Sequence, residues 1–248
     1  MNEPLRPVVV RAPAKLTLTL RISNTQANGY HGIDAEMVTL DLCDELEITP
    51  APASILVVAG RAAGVPTGPD NLVLRALDDV RRTARVRLTK RIPTEAGLGG
   101  GSADAAAVLR WAGVTDPVRA VRLGSDVAFC LVGGRARVTG TGESIEPLPF
   151  EACTVTLVFP PIACSTRRVF EAWDRLGGPA GPGGNDLELA ALEVAPELRT
   201  WRDRLADDTG QRPHLAGSGS TWFVHGSHPG DGRLVAHAVP AGWGDGHR

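Results

Sequence analysis

The chain has 248 residues and a formal net charge of −2, from 26 basic and 28 acidic side chains. This balance, without a long run of either sign, lacks the electrostatic footprint of a nucleic-acid-binding protein. No apolar stretch is long enough to span a bilayer, and the first residues do not have the pattern of a signal peptide. We therefore expect a globular, cytoplasmic protein that binds neither nucleic acid nor a membrane.

The four cysteines do not indicate a disulfide framework or a zinc site. They are widely spaced, form no CxxC pair and accompany no cluster of histidines. Isolated cysteines of this kind behave as small apolar side chains. We expect all four to be reduced and mostly buried: Cys43, Cys130, Cys153 and Cys164.

In the N-terminal half, strand patterns precede the first helical pattern. Residues 8–22 form two β-rich runs separated by the tripeptide from Ala12 to Ala14. Apolar and polar residues alternate in the second run, which predicts a half-buried strand with Lys15 on its polar face. Further along we predict strands over residues 36–42, 44–49 and 86–90, and a helix over residues 71–83.

The stretch GLGGGSADAAAVL, from Gly97 to Leu109, places four glycines in five residues before an alanine-rich helical pattern. Glycine lets backbone N–H groups approach a ligand closely, and the first N–H groups of a helix have no partner within it. The helix dipole adds positive potential, so a strand, a glycine-rich turn and a helix N-terminus predict a phosphate site. We predict Ser102 as the N-cap of this helix, Asp104 in its first turn and Gly113 just beyond its end.

Two common phosphate-binding loops do not fit this stretch. A Walker loop ends in Gly-Lys-Ser or Gly-Lys-Thr, whereas Gly101 is followed directly by Ser102. The dinucleotide fingerprint GxGxxG lacks its last glycine here, and no acidic residue follows a second strand about twenty positions later. An NAD-dependent oxidoreductase is therefore disfavoured, while a tight turn that binds no ligand stays open from the loop alone.

The C-terminal half begins after a break at Pro147 and Pro149, and we place the domain boundary near Phe150. This division gives an N-terminal domain over residues 1–150 and a C-terminal domain over residues 151–248. For the second domain we predict, in order, a strand over 153–160, a helix over 167–176, a glycine- and proline-rich loop over 177–184, helix over 187–206 with a break near Pro196, a strand region over 214–224 and one more strand near the end.

Several motifs resemble those of the GHMP kinases, in the order that family has them. The first is RAPAKLTLTL followed by NGYHGIDAEM, the second KRIPTEAGLGGGSADAAAVL and the third LAGSGSTWF, with RLGSDVAF, CSTRRVF and NDLE between the second and third. The resemblance runs from about Val10 to Val224. The pieces GYH and NDLE are typical of the branch of the family that acts on an alcohol linked to cytidine diphosphate.

This resemblance implies an α+β fold of two domains, the first like ribosomal protein S5 domain 2 and the second ferredoxin-like. It also implies an ATP-dependent kinase of the non-mevalonate isoprenoid pathway, which uses Mg²⁺ and phosphorylates the 2-hydroxyl of a cytidine-diphosphate-linked methylerythritol. The partner is thus a small-molecule substrate, and the expected oligomeric state is a monomer or a weak homodimer. No side chain of this chain is assigned as a metal ligand.

The resemblance also implies roles for residues that match the motifs. Lys15 and Asp126 would be the catalytic pair. The ATP-binding residues would be Gly97, Leu98, Gly99, Gly100, Gly101 and Ser102 around the triphosphate, with Asn71, Leu72 and Lys90 near the adenine. The substrate-binding residues would be Thr17, Tyr30, His31, Thr166 and Phe170. Among them, Tyr30 and His31 would recognise the cytosine, with Phe170 as the second face of an aromatic sandwich.

Elementary chemistry agrees with these roles. A tertiary alcohol is a poor nucleophile at neutral pH, so a carboxylate such as Asp126 can accept its proton as the phosphoryl group moves. A lysine ammonium can stabilise the developing negative charge and favour the ionised carboxylate. Stacking of a base on aromatic side chains contributes about 1–3 kcal/mol per base. Each residue also has a simpler interpretation: Lys15 solvated on a strand, Asp126 capping a helix, and Tyr30 with His31 in a surface turn.

The sequence departs from the family pattern in three places. Thr17 stands where the family usually has asparagine, and it keeps a hydroxyl but loses the reach and second donor of the amide. The segments over residues 53–70 and 111–125 are shorter than usual. Two alternatives stay open at this point: a GHMP kinase that acts on another small alcohol, and a nucleotide-binding protein without catalysis.

Overall fold

The computed structural model describes residues 7–25, 31–181 and 183–244. Within them lie ten strands that form one continuous sheet, together with helices on both halves. The strands are β1 (Val8–Thr25), β2 (His31–Pro50), β3 (Ile55–Gly60), β4 (Ala84–Lys90), β5 (Arg135–Gly140), β6 (Ser144–Pro147), β7 (Thr154–Val158), β8 (His214–Leu215), β9 (Trp222–His225) and β10 (Arg233–Val239). The helices are α1 (Leu72–Asp79), α2 (Gly100–Trp111), α3 (Pro117–Ala120), α4 (Ser125–Val132), α5 (Thr166–Arg175), α6 (Glu188–Val194) and α7 (Leu198–Thr209).

The first two strands form a long antiparallel pair, from Val8 opposite Ile48 to Thr25 opposite His31. Each was predicted as two shorter runs, and the structure joins the runs through irregularities in the register. One of these shifts falls between Pro13 and Lys15, where proline cannot donate a ladder hydrogen bond. The predicted interruption at Ala12–Ala14 is therefore a register shift within one continuous strand, with the additional residues on β2 between Thr39 and Cys43.

The sheet runs in the order β3, β4, β2, β10, β7, β9, β8, with β1 and β5 also paired to β2 and β6 paired to β5. The last strand joins the two halves, because β10 pairs with β7 over five positions and with β2 at Ala238 and Val239. The single strand predicted near the end of the chain is thus confirmed. The division into domains at residue 150 stays a prediction.

Three hydrophobic clusters fill the space around the sheet. The first packs α1, α2 and α4 on the N-terminal strands, and the alanines of α2 are buried there because small side chains allow the helix to approach the sheet closely. The second gathers α5, α6 and α7 on the C-terminal strands. The third lies between the halves and combines residues from both, including Leu16, Leu98, Leu157 and Phe223.

The predicted helices are present, but the helix predicted over residues 71–83 ends already at Asp79, and one N-terminus differs. α1 is capped by Asn71, whose Oδ1 accepts from the Val73 N–H at 2.8 Å, and the break near Pro196 separates α6 from α7. Ser102 is not an N-cap. Gly99 holds that position with φ of 65°, in the left-handed region that glycine adopts without strain, so α2 begins at Gly100.

As a result, Ser102 lies within the first turn of α2, and Asp104 lies beyond that turn in the helix interior. Gly113 follows the helix end, as predicted. The four cysteines are free thiols, and Cys43, Cys130 and Cys164 are buried while Cys153 is half-buried. In the part of the chain that the structure describes, no helix has the length and apolar character required to cross a membrane.

Candidate active site

A cleft of about 1590 Å³ lies where the two halves of the molecule meet. Its walls come from β1, the N-termini of α1, α2 and α4, the helix α5 and the loop after β8. The lining residues include most of those predicted to bind or react: Lys15, Thr17, His31, Asn71, Leu72, Lys90, Gly97, Gly99, Gly100, Gly101, Ser102, Asp126, Thr166 and Phe170. Tyr30 lies outside the described residues, so its predicted stacking stays a prediction.

The glycine loop (residues 97–101) is held against a second glycine turn (Leu215–Thr221). A Cβ atom on Gly97 would lie 2.2 Å from the Ala216 carbonyl oxygen, so the two backbones touch where a side chain would stand. A Cβ on Gly99 would lie 2.8 Å from Cγ of Lys15. Glycine at these two positions therefore brings the loop, the second turn and Lys15 together at the N-terminus of α2.

Lys15 and Asp126 form an ion pair, with 3.4 Å between Nζ and Oδ2. The lysine side chain is 6% exposed and the aspartate 32%, so the carboxylate remains open to the cleft. The backbone N–H of Lys15 donates to the Leu98 carbonyl at 3.0 Å, which joins β1 to the glycine loop. The Leu98 side chain itself is buried in the third hydrophobic cluster.

Thr17 positions the lysine. Its hydroxyl accepts a hydrogen bond from Nζ of Lys15 at 3.1 Å, and the residue is 1% exposed. The ammonium is thus held between a buried hydroxyl and a carboxylate. The threonine that departs from the family pattern therefore still contacts Lys15.

An aromatic cluster forms another part of the cleft. His31 stacks on Phe170 with ring centroids 5.0 Å apart and planes at 28°, and its Nε2 lies 2.8 Å from Oδ1 of Asp174. A base between two rings needs about 7 Å, twice the usual carbon contact distance. A base therefore cannot enter between His31 and Phe170 as they stand. The Thr166 hydroxyl lies nearby and is 2.9 Å from the hydroxyl of Ser218.

Lys90 lines the cleft, but its ammonium has other partners. It contacts Asp44 of β2 and donates to Asp104 of α2 at 2.8 Å, and all three residues are buried. Asp44 also accepts from the backbone N–H groups of Arg91 and Ile92. This buried charge cluster (Asp44, Lys90 and Asp104) ties β2, the end of β4 and α2 together, and it gives Lys90 a structural function besides the predicted contact with adenine.

Burial dominates the titration of this cluster. It raises the pKa of Asp104 to about 7, because Lys90 offsets only part of the cost of an ionised carboxylate in the interior and Asp44 adds repulsion. Burial opposes the charge on Lys90, but the two carboxylates outweigh it and raise the pKa of Lys90. Sequence reasoning missed the cluster, since its members are 46 and 14 residues apart.

The arrangement is that of a small-molecule kinase of the GHMP class: a glycine loop at a helix N-terminus, a lysine–aspartate pair beside it and a cleft between two α+β halves. The family model described as "GHMP kinases N terminal domain" matches residues 71–134. The fold agrees, since a mevalonate kinase from Methanococcus jannaschii superposes with a TM-score of 0.59 at 11% identity, over 94% of this chain and 98% of that one.

Closer relatives narrow the class. A 4-diphosphocytidyl-2-C-methyl-D-erythritol kinase from Paracoccus denitrificans is 39% identical over 231 residues, which cover 86% of this chain and 84% of its own length. A crystal structure of 4-(cytidine 5'-diphospho)-2C-methyl-D-erythritol kinase superposes with a TM-score of 0.75 at 30% identity, covering 93% of this chain and 98% of that one. The chain belongs to the 4-diphosphocytidyl-2-C-methyl-D-erythritol kinase family.

Proposed function

We propose that this protein transfers the γ-phosphoryl group of ATP to the 2-hydroxyl of 4-diphosphocytidyl-2-C-methyl-D-erythritol, a step of the non-mevalonate isoprenoid pathway. The observation that carries this proposal is the ion pair of Lys15 and Asp126 at 3.4 Å, which lies in the same cleft as the glycine loop and the aromatic cluster. The cleft therefore offers a glycine loop for a phosphoryl donor, a carboxylate and an ammonium for an alcohol, and aromatic rings for a cytosine base.

Asp126 accepts the proton of the 2-hydroxyl as the hydroxyl oxygen attacks the γ-phosphorus. Its carboxylate is partly exposed in the cleft and belongs to the first turn of α4, so it can reach a bound alcohol. Lys15 stabilises the negative charge that develops on the transferring group. Thr17 holds the ammonium in place during the transfer.

GHMP kinases use ATP as the phosphoryl donor, and the glycine loop is where its phosphates would bind. Gly100, Gly101 and Ser102 form the first turn of α2, where backbone N–H groups and the helix dipole favour an anion. Asn71 and Leu72, at the start of α1, line the same cleft and would lie near the adenine together with Lys90. The backbone of Leu98 connects this loop to Lys15.

Mg²⁺ fits this site as a companion of the triphosphate. The described residues hold no group of three or more metal-ligating side chains. Mg²⁺ at a nucleotide site needs only one or two protein oxygens, because phosphate oxygens and waters complete its shell. The Ser102 hydroxyl beside the glycine loop is the oxygen that would hold it, and the ion would neutralise charge on the β- and γ-phosphates.

The cytosine would stack on the outer surface of the aromatic cluster rather than between His31 and Phe170. His31 is fixed by Asp174 and by the edge of Trp173, whose ring centroid lies 5.5 Å away, so the stacking surface is preorganised. Tyr30 and Thr166 complete the proposed substrate contacts. A rigid platform of this kind favours the cytidyl group over alcohols that carry no base.

The test is ADP release by the purified protein with ATP and Mg²⁺, comparing the cytidyl substrate with mevalonate, homoserine and galactose. Turnover with the cytidyl substrate alone is the expected result. Turnover with another alcohol would instead favour a paralogue within the same fold. ATP binding without turnover on any alcohol would favour a nucleotide-binding protein without catalysis.

The proposal also includes the domain organisation, cellular location and oligomeric state of the protein. The two-domain division at residue 150, a cytoplasmic location and a monomer or weak homodimer accompany the kinase function as predicted from the sequence. The four free cysteines are compatible with a reducing compartment. Size-exclusion chromatography with light scattering across a hundredfold range of concentration would distinguish a monomer from a weak homodimer.

A further inference from the structure

The tetrapeptide NDLE, from Asn185 to Glu188, joins three parts of the chain. Its first residue forms a parallel bridge with Leu20 of β1, and the N–H of Asp186 donates to the Leu20 carbonyl at 2.9 Å. The Asp186 carboxylate accepts from the N–H of Ile22 at 2.9 Å and from Arg21 at 2.7 Å. This side of the tetrapeptide therefore fixes the loop to β1.

The side chain of Asn185 faces the other way, toward the second glycine turn. Its Nδ2 donates to the carbonyls of Leu215 at 2.9 Å and Gly217 at 2.7 Å, and its Oδ1 accepts from the Leu187 N–H at 3.0 Å. The residue is 2% exposed. Two carbonyls on one side and an N–H on the other determine which way the amide points.

The turn that Asn185 holds lies against the reacting groups. A Cβ on Gly217 would be 3.4 Å from Nζ of Lys15 and 3.9 Å from the Thr17 hydroxyl, so the backbone of the turn borders the lysine head. The next residue, Ser218, pairs its hydroxyl with that of Thr166 in the cleft. Any shift of this turn would therefore move the surroundings of the ammonium and of a substrate-facing hydroxyl together.

We propose that Asn185 is a positioning residue for phosphoryl transfer, because its amide holds the second glycine turn in register with Lys15. This inference rests on the proposed kinase function. Removing the two donated hydrogen bonds would leave two buried carbonyls without partners and allow the turn to shift. A displacement of about 1 Å around reacting groups can lower a rate a hundredfold.

The test is Asn185→Asp, which keeps the shape of the side chain and replaces the two donors with an acceptor. At pH 8 we expect kcat to fall about ten- to a hundredfold, with KM for ATP changing less than about threefold. The new carboxyl would face two carbonyls in the interior, which raises its pKa. Its protonated form can donate to one carbonyl, so the ratio of variant to wild-type kcat should rise as the pH falls from 8 to 6.

Asp186→Asn is the matched control, since it weakens the same loop on the side that contacts β1. It should lower the melting temperature and leave kcat within about threefold at every pH. Equal kcat losses in the two variants, or an Asn185→Asp ratio that does not change with pH, would overturn the inference.

A second readout separates this inference from the proposed function. Amide hydrogen exchange over residues 215–221 should be faster in Asn185→Asp than in both wild type and Asp186→Asn. Wild-type inactivity on every alcohol would refute the kinase proposal, and the exchange comparison would still decide whether Asn185 holds the turn. Equal exchange in all three proteins would show that it does not.

Discussion

Lys15 makes contacts with several parts of the cleft wall. Its backbone N–H binds the glycine loop, its stem lies against Gly99, and its ammonium meets Thr17 and Asp126. A long flexible side chain is thereby reduced to one position before any ligand binds. The entropy of fixing it is lost in folding rather than in catalysis.

Asp126→Asn removes the proposed base while keeping the size of the side chain. We expect kcat to fall by about two to four orders of magnitude, the usual contribution of general base catalysis, with ATP binding little changed. The measurement is steady-state ADP release together with titration of an ATP analogue. Asp207→Asn, on the exposed surface of α7, serves as the control, and near-normal turnover of Asp126→Asn would remove Asp126 from the mechanism.

Thr17→Val deletes the hydroxyl that holds the lysine and preserves the branched shape of the side chain. We expect kcat to fall about tenfold, because the ammonium loses one of its two partners, with the melting temperature nearly unchanged. Thr17→Ser retains the hydroxyl and should recover most of the activity. Equal activity in Thr17→Val and Thr17→Ser would show that the hydrogen bond to Lys15 has no part in the rate.

Phe170→Ala removes the ring on which His31 stacks. Loss of a stacking surface worth about 1–3 kcal/mol should raise KM for the cytidyl substrate roughly 5- to 150-fold, with KM for ATP within about twofold. Tyr30→Ala is expected to act in the same direction. Equal increases in both KM values would contradict the assignment of this cluster to the cytosine.

The helix α2 has two roles, one toward the cleft and one toward the sheet. Its first turn faces the cleft, while its alanines and the Asp104 carboxylate anchor it to the sheet through the buried charge cluster. The single ammonium of Lys90 is paired with two buried carboxylates, Asp44 and Asp104. The desolvation of the second carboxylate is therefore the main free-energy cost that the cluster does not offset. We expect this cluster to fix the position of α2 more than it stabilises the fold.

Asp104→Asn tests this through the pH dependence of stability. The folded-state pKa of Asp104 is about 7, above its unfolded value near 3.8. Between these two pH values the folded protein binds more protons than the unfolded chain. The stability that this group contributes is therefore complete below the unfolded pKa and is lost as the pH rises through about 7. The variant should gain in melting temperature relative to wild type between pH 5 and pH 8, by about 2–4 °C for each kcal/mol. A constant difference across this range would contradict the raised pKa.

Periodicity and turn residues in the sequence predicted most elements, and the resemblance to the GHMP kinases implied most of the residues that line the cleft. Ser102 was wrong as an N-cap because the pattern of helix signals does not reveal that Gly99 adopts a left-handed conformation. The charge cluster and the amide of Asn185 were out of reach for another reason. Their partners are distant in sequence, and no local pattern tells a buried charge or amide from a solvated one.

The two halves of the molecule share a sheet and a hydrophobic cluster. β10 pairs with strands from both halves, the third hydrophobic cluster draws on both, and Asp186 binds the end of β1. The cleft lies along this junction. Its geometry therefore depends on contacts that neither half makes alone.

Differential scanning calorimetry tests whether the two halves unfold cooperatively. We expect a single unfolding transition, with a calorimetric enthalpy close to the van't Hoff enthalpy, because neither half keeps its share of the third cluster without the other. Two resolved transitions would instead support halves that unfold independently on either side of residue 150. Addition of an ATP analogue should raise the melting temperature of this single transition, because the analogue binds the folded protein and not the unfolded chain.

The backbone contact between Gly97 and Ala216 bears on how this protein would meet an inhibitor. Any side chain at position 97 would collide with the Ala216 carbonyl, since even a methyl carbon would lie 2.2 Å from its oxygen. A compound that recognises the main chain of this loop would thus bind where substitution destroys the site. Resistance would have to arise elsewhere in the cleft, and a selection for resistant variants should leave codon 97 unchanged.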